Sequence, residues 1–565
     1  MKPNRLVLLA GICTAFFISC KHTDKPGVLV PKDAALVFHI DGASLASKLP
    51  WEDIKATTWY KKVSGETTDT LAKKLLEDPR HSGIEIRASL TIFLKKQGQG
   101  SYIGIDGTIS DAAAFEAFNK KISKEAGAVT KDGDISQQQL ADGAYVSWNS
   151  NYFTYTISMP GFSGASAFLR SSHPEPYTLP ADSLKKFGKE TLHLSGDASL
   201  TSDSRFTDML SETGDCHFWF NSGEYTGDIL SGAMSMMKLD VLLKDNISAT
   251  TLNFDNGKIT FKAKRYFNKE MSDFINKYPP HAVSADVYNR IASKDVDLVC
   301  SFNYPPDGIV AFMKLIGVDG LINGGLGKYN FSLDELLKAT KGDFVLAATD
   351  FKVERKEINL PGGAEPIKTT SPNIKLLFAT TVNDKPTFDK IISTVKTETA
   401  PFADKMPPVT YAINNGWFAI GNSDDGVNKF LAGGNNNQPF ASKLGGHAFG
   451  FYMDVQKIFN GVGTLTDDNN SNGSQSAKAI IDASKGIWKD FYAWGDYKSG
   501  SQAEINLVDP NTNSLKQLNQ YFDKLAAAAI KMGVGTDVTP DASAMPADSA
   551  AAALPPPPPP PHSGN

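Results

Sequence analysis

The chain has 565 residues, of which 41% are hydrophobic, 10% aromatic and 21% charged, with 57 Lys plus Arg against 62 Asp plus Glu. At roughly 150 residues per domain this length holds three or four cores, and the composition excludes both a wholly disordered chain and a polytopic membrane protein. The near balance of charge removes the global basic field that binds nucleic acid without sequence preference, so no nucleic-acid partner is expected.

The chain opens MKPNRLVLLAGICTAFFISC, with Lys2 and Arg5 ahead of a mostly apolar run from Leu6 to Ile18. That run is shorter than the roughly 20 residues a membrane-spanning helix needs, so residues 1–19 are expected to be a signal peptide. Phe17-Ile18-Ser19-Cys20 resembles a bacterial lipobox, with Phe17 where Leu is usual, and the expected modification is lipidation of Cys20. Two or three acyl chains there would hold the protein on a membrane, since each buried methylene contributes about 0.8 kcal/mol and one chain alone is marginal. The alternatives are an ordinary secretory signal with a cysteine near its end, or an uncleaved anchor. Lys21 in place of Asp points, by resemblance to lipoprotein sorting, to the outer membrane, and the KHTDK segment lacks a surface-export acidic cluster, so the leaflet stays open. Residues 20–30 are read as a tether. Cys13 leaves with the signal, and Cys216 and Cys300, in the apolar runs CHFWF and DLVCSF, are expected to be buried free thiols, with a disulfide as the alternative.

Four segments follow. Unit A, 31–160, carries the strand DAALVF at 33–38, a hairpin turning at 97–100, the helix ISDAAAFEAF at 109–118 and a further hairpin at 144–158. Unit B, 189–280, carries the strand CHFWF, a hairpin around Asp255-Asn256-Gly257 and a helix over 269–278. Unit A′, 295–432, carries the strand DVDLVC, a Gly324–Gly327 turn before a helix at 333–340, a long polar excursion after Phe351, a helix from Phe388 to Lys396 and a hairpin at 409–421. Unit B′, 440–530, carries a strand at FGF, a flexible loop at 465–477, a hairpin over 490–508 turning at Lys498-Ser499-Gly500, and a helix over 514–525. From 533 to 565 the periodicity is lost, and seven prolines, Pro555 to Pro561, end a tail expected to be a disordered spacer.

The segments repeat. DAALVF at 33–38 matches DVDLVC at 295–300, and ISDAAAFEAF matches VNDKPTFDKI at 382–391, placing Asp111 and Phe115 on Asp384 and Phe388. AYVSWNSNYF at 144–153 matches VTYAINNGWF at 409–418. Three matches in one order predict an α+β fold made by tandem duplication of two halves, each of two related β-α-β-β-α units with antiparallel hairpins. The lipobox followed by VPKDAALVFHID at 30–41, the aromatic hairpins, the duplicated halves and the proline-rich end resemble the Bacteroidetes lipoproteins grouped as domain of unknown function 4836, over most of residues 28–530. The resemblance implies an envelope lipoprotein and carries no active-site residues.

The search for chemistry assigns no catalytic residue, no cofactor and no metal site. None of the nine histidines lies three or four residues from another, and His39 and His217, inside strands, are read as structural. Ser393 and Lys396 have SxxK spacing without its partner motifs, and Gly161-Phe162-Ser163-Gly164 is one residue short of a nucleophile elbow. Asp468 to Gly473 matches the first half of a calcium loop whose twelfth position is Ala479 and not Glu. Trp148, Tyr152, Phe153, Trp417 and Phe418 are expected in the core, or, if outward, as a patch for a partner. The expected function is an anchored, non-enzymatic binding or scaffolding module for a protein, peptide or glycan partner. An envelope hydrolase with two carboxylates about 5–10 Å apart, or a carrier of an apolar ligand, are the alternatives.

Overall fold

The computed structural model describes residues 28–98, 100–123, 126–159, 177–226, 244–358, 367–401, 408–463, 472–498 and 500–531. The signal peptide, Cys20, Gly161–Gly164, Asp468–Asn470 and the proline-rich tail lie outside the described residues. The chain is α+β, and its strands join one antiparallel sheet. They are β1 (Ala34–Ile40), β2 (Leu90–Gln97), β3 (Gly100–Thr108), β4 (Thr130–Asp132), β5 (Ile135–Gln139), β6 (Tyr145–Trp148), β7 (Tyr152–Met159), β8 (Cys216–Asn221) and β9 (Ile247–Asp255). The series continues with β10 (Lys258–Tyr266), β11 (Val296–Asn303), β12 (Thr340–Ile358), β13 (Ile367–Val382), β14 (Thr410–Asn414), β15 (Trp417–Gly421), β16 (Phe449–Met453), β17 (Trp488–Asp496) and β18 (Gly500–Leu507).

The pairings place β10 beside β18 at a central seam. Outward from it the first half runs β10-β9-β8-β1-β2-β3-β7-β6-β5-β4. The second half runs β18-β17-β16-β11-β12-β13-β15-β14. The same succession of strand, helical connection, hairpin and helix appears at β1, β8, β11 and β16. Helices Ala112–Ile122, Lys269–Lys277, Lys385–Thr399 and Ser514–Lys531 follow the four hairpins.

Local contacts recur with the order. Asp111 accepts the Ala113 and Ala114 amides at one helix start, and Asp384 accepts the Thr387 amide at another, each satisfying orphan donors of a first turn. One turn further in, Phe115 stacks on Phe153 at 4.9 Å and Phe388 meets Phe418 at 5.0 Å. Where β1 meets β8, the Asp41 amide donates to the Asp215 carbonyl and the Phe254 amide to its carboxylate. Where β16 meets β11, the Asp454 amide donates to the Asp297 carbonyl and the Phe351 amide to its carboxylate.

The halves are tied at the seam. Gly257 turns β9 into β10 at φ 66°, and a Cβ there would lie 2.4 Å from the Pro510 backbone. Asn513 donates to the Phe254 carbonyl at 2.8 Å, and Lys258 pairs with Glu504 at 3.7 Å. Helix Ser514–Lys531 returns to the first half, where Leu515 joins the core of Ile40 and Phe115 and Asp523 accepts the Thr58 amide at 2.6 Å.

Several local expectations are corrected. Gly324 to Gly327 close a helix, Asp319–Gly327, because the i to i+4 ladder starting at Val318 runs through them, and the next helix is Leu333–Lys338. On both sides of residues 359–366, which lie outside the described residues, the polar excursion after Phe351 is strand: β12 and β13 continue past a bulge at Thr349/Lys352 to Ile358 opposite Ile367, and ladder pairing satisfies the backbone. The expected loop 465–477 becomes helix from Asn472, in Asn472–Lys485. The last helix extends to Lys531 because Leu525-Ala526-Ala527-Ala528-Ala529 are strong helix formers. Val30, at the end of the expected tether, is fully buried and accepts the Leu200 amide. No single described helix is long and apolar enough to cross a membrane; Pro306–Leu315 and Asp319–Gly327 reach that composition together but meet at 113°.

Candidate functional site

Side chains alternate along each strand, so the sheet has two faces. One is covered by helices: Val299, Val345, Ala379, Ala419 and Tyr452 pack beneath Val427, Phe430, Phe440 and Leu444, and Val37 and Trp219 pack beneath Leu184, Phe206 and Met209. An antiparallel sheet with its other face in water normally turns polar residues outward. Here the second face is apolar and only partly open: in the first half Ile40, Leu90, Ile105 and Cys216 lie in a core with Leu45, Leu49, Phe115 and Leu515, and at the far end of the second half Phe378 and Ile420 pack against Phe388 and Phe418. Phe38 pairs with Phe218 at the β1–β8 junction and Phe302 with Phe449 at the β11–β16 junction, and all four are exposed. Leu252, Phe261, Ala503, Ala493, Phe451, Cys300, Leu346, Phe378 and Ile420 form one row, each directly opposite the next across the seam. Leu346 and Leu376 are 46% and 47% exposed, which puts this surface outside the ordinary scatter of lone surface hydrophobes.

Beneath the helices of the first half runs a second row, and it is polar. Gln137, Ser147, Thr154, Asp106, Thr91, His39, His217 and Thr251 occupy directly paired positions on eight neighbouring strands, and all are buried. His39 Nδ1 meets the Thr91 hydroxyl at 2.9 Å, and His217 Nε2 donates to the Glu212 carbonyl at 3.0 Å. Thr251 donates to the Glu212 carboxylate at 2.8 Å, and Gln137 donates to the Lys185 carbonyl at 2.8 Å. Among the described residues neither oxygen of Asp106 has a partner of hydrogen-bond geometry. Burial drives its carboxyl well above the ordinary carboxylate range, with the Thr154 hydroxyl beside it a smaller opposing influence. The matching row of the second half is Ser301, Val345, Ala379, Ala419 and Gly450, small and nearly apolar.

A pocket of about 130 Å³ lies on the second half, lined by Ser293, Thr349, Asp350, Lys375, Leu376 and Asp425 among others. Asp350 holds a left-handed backbone at φ 57°, uncommon outside glycine but tolerated by aspartate. Burial pushes its carboxyl up, and the Ser293 hydroxyl at 2.9 Å and Lys375 at 3.1 Å outweigh that and hold it below the usual carboxylate value. Asp425 pairs with Lys429 at 2.9 Å, so each carboxylate of the pocket faces a lysine.

The residues singled out from sequence fall elsewhere. Cys216 and Cys300 are free thiols on β8 and β11. Burial pushes Cys216 up to about 12 and raises Cys300 also, which makes both poor nucleophiles. Ser393 and Lys396 sit exposed on helix Lys385–Thr399, where Lys396 lies 5.0 Å from the centre of the Tyr411 ring. Trp148, Phe153, Trp417 and Phe418 are buried, and Tyr152 is half-buried, so these hairpin aromatics form core and not an outward patch. His281 meets Asp343 at 2.8 Å and His447 meets Asp496 at 3.0 Å, as pairs. Among the described residues no three His, Cys, Asp or Glu gather as a metal site. Missed from sequence were the open apolar face, the polar row and Asp350. Their only local signals were the outward Phe and Leu in runs such as DLVCSF and the lone Asp106 in IGIDG.

A family model described as a domain of unknown function (DUF4836) matches residues 27–281. The matched segment holds β1 to β10 and the buried polar row, a shorter span than the resemblance expected over 28–530. No curated protein and no solved structure matches the chain.

Proposed function

We propose that the chain is exported, lipidated at Cys20 and held at the outer membrane, and that it serves without catalysis as a binding or scaffolding module for a protein, peptide or glycan partner. The partner is received on the open face of the sheet. The observation that carries this reading is the exposed apolar group Phe302, Phe449, Leu346 and Leu376 on strands β11, β16, β12 and β13, with the half-buried Phe451 and Cys300 beside it. Large exposed apolar surfaces on soluble domains mark contact sites. The signal-like leader and the Phe17-Ile18-Ser19-Cys20 sequence support the anchor, and the match to residues 27–281 is consistent with a relationship to Bacteroidetes lipoproteins of that domain.

The two halves are read as a tandem duplication. The common strand order outward from the seam, the shared Asp caps at Asp111 and Asp384, and the shared Phe115–Phe153 and Phe388–Phe418 contacts support it. Repetition builds a wide surface without requiring a reaction centre. The hydrolase reading has weaker support, since Asp350 and Asp425 are both held by lysines. Carriage of an enclosed apolar ligand calls for a cavity of roughly 300 Å³ or more. The pocket at Asp350 is smaller and half polar in its lining residues.

Two experiments test the two parts. Metabolic labelling with an alkyne palmitate is expected to mark the protein in the membrane fraction, and Cys20→Ala to abolish the label; an unlabelled wild type refutes the anchor. Crosslinking in intact cells, with capture through a tag in the tail, is expected to yield an envelope partner that the double variant Phe302→Asp, Leu346→Asp loses while its unfolding midpoint stays near wild type. Undiminished capture by a folded double variant refutes the face as the contact surface.

A further inference from the structure

Beyond Phe302 the chain leaves β11 through helix Pro306–Leu315 and continues as Asp319–Gly327, the two meeting at 113°. From Gly308 to Gly327 the only charges are Lys314 and Asp319, and together the helices have the length and hydropathy of a membrane span. The bend prevents them from spanning. On its inner side the corner is packed, with Ile316 and Val318 buried against Met271, Phe312, Met313 and Ile322. Its outer side is bare. Helix Asp319–Gly327 has no buried residue, and Leu321 is 79% exposed. Apart from the neighbouring backbone, no described atom lies within 4 Å of the place a Cβ would take at Gly317, Gly320, Gly324, Gly325 or Gly327.

A helix facing water normally carries charge there, as the pairs Lys385–Asp389 and Glu116–Lys120 do on helices Lys385–Thr399 and Ala112–Ile122. Here a short helix with four glycines presents a leucine instead. Glycine is the weakest helix former after proline, and so short a helix gains little from its length. A bilayer boundary supplies what is missing: it takes up the leucine, and with little water to compete it favours the helical backbone bonds. A protein partner reads side chains, and this side offers one large one. Lys314 and Lys328, both exposed, flank it, and Lys328 lies 4.5 Å from the centre of the Tyr329 ring. Lysine stems and tyrosine rings suit the headgroup level.

The tether brings a bilayer within reach. From Cys20 to Val28, where the described residues begin, eight residues extend at most about 29 Å. A chain held by lipid at Cys20 therefore rests against the membrane. The strand ends agree with this: followed through the register, the Leu36 end of β1 lies with the Phe220 end of β8, the Tyr266 end of β10 and the Phe302 end of β11, from which the corner departs.

We infer that the corner of helices Pro306–Leu315 and Asp319–Gly327 lies in the plane of the membrane that holds the anchor, with Leu321 in the boundary between headgroups and acyl chains. The inference rests on the membrane location proposed above and adds a contact that needs no lipid on Cys20. It uses a surface other than the Phe302–Leu346 face.

Flotation tests it, with the mature chain carrying Cys20→Ala and vesicles of phosphatidylethanolamine containing one quarter phosphatidylglycerol. The chain is expected to float with the vesicles at high salt as well as low, because the contact is apolar. Leu321→Asp is expected to lower the vesicle partition about tenfold at an unfolding midpoint near wild type, since Leu321 is largely exposed. The double variant Phe302→Asp, Leu346→Asp is expected to float as wild type does. No flotation, release by salt, undiminished flotation of Leu321→Asp, or loss in the double variant instead would overturn the inference. The anchor is absent throughout and the face is intact in Leu321→Asp, so these outcomes are read separately from palmitate labelling and partner capture.

Discussion

Asp106 is buried with no hydrogen-bond partner of good geometry among the described residues, and its carboxyl lies well above the ordinary carboxylate range because of burial. A raised acid is held protonated by the fold, so its contribution to stability is complete below about pH 4 and is lost as pH rises through its folded value. Asp106→Asn keeps the shape and removes the titration. The stability of wild type relative to this variant, followed by denaturant unfolding, is expected to fall as pH rises above about 4, and parallel curves would contradict the assignment. The paired phenylalanines give a second check: Phe115→Ala and Phe388→Ala empty equivalent sites against Phe153 and Phe418. Each is expected to cost about 3–5 kcal/mol in urea unfolding. The two helix phenylalanines were legible in the repeated D-x-x-x-F spacing. The polar row was not, because His39, Thr91, Asp106 and His217 come from four separate segments and become neighbours only when β8, β1, β2 and β3 pair.

At the scale of elements, turn chemistry was readable where only one residue type serves. Gly257 sits at φ 66° with Pro510 against the place a Cβ would take, and the seam passes through this turn. Gly257→Ala is therefore expected to destabilise the chain by more than about 1 kcal/mol, measured as a lowered urea midpoint. Gly98→Ala, at φ 58° with open space around it, pays the backbone strain alone and is expected to cost less. Equal effects would place no packing at the seam turn. Gly324 to Gly327 misled in the opposite direction: glycines that the sequence presents as a turn are carried in a helix whose following segment is held by Asn323 accepting the Leu333 amide. The polar stretch beyond Phe351 read as loop because composition reports burial, whereas ladder pairing with Thr369, Thr370 and Ser371 needs none.

At the scale of the molecule, the spacing of three sequence matches revealed two similar halves, while strand order stayed hidden. Nothing local in β10 and β18 says that they pair with each other, and their union makes one sheet of what the sequence presents as successive units. The open face was obscured for a related reason. In β11 the inward residues Val299 and Ser301 and the outward residues Leu298, Cys300 and Phe302 give a nearly continuous apolar run, which periodicity alone reads as a strand buried on both sides. The most direct test of that face as the contact surface is site-specific photo-crosslinking in intact cells, with a photoreactive phenylalanine at Phe302 on the face or at Phe522, 57% exposed on the last helix. A discrete adduct from position 302, lacking at position 522 and lost when Cys20→Ala releases the anchor, is the expected result; no adduct at 302, or the same adducts from both positions, would contradict it.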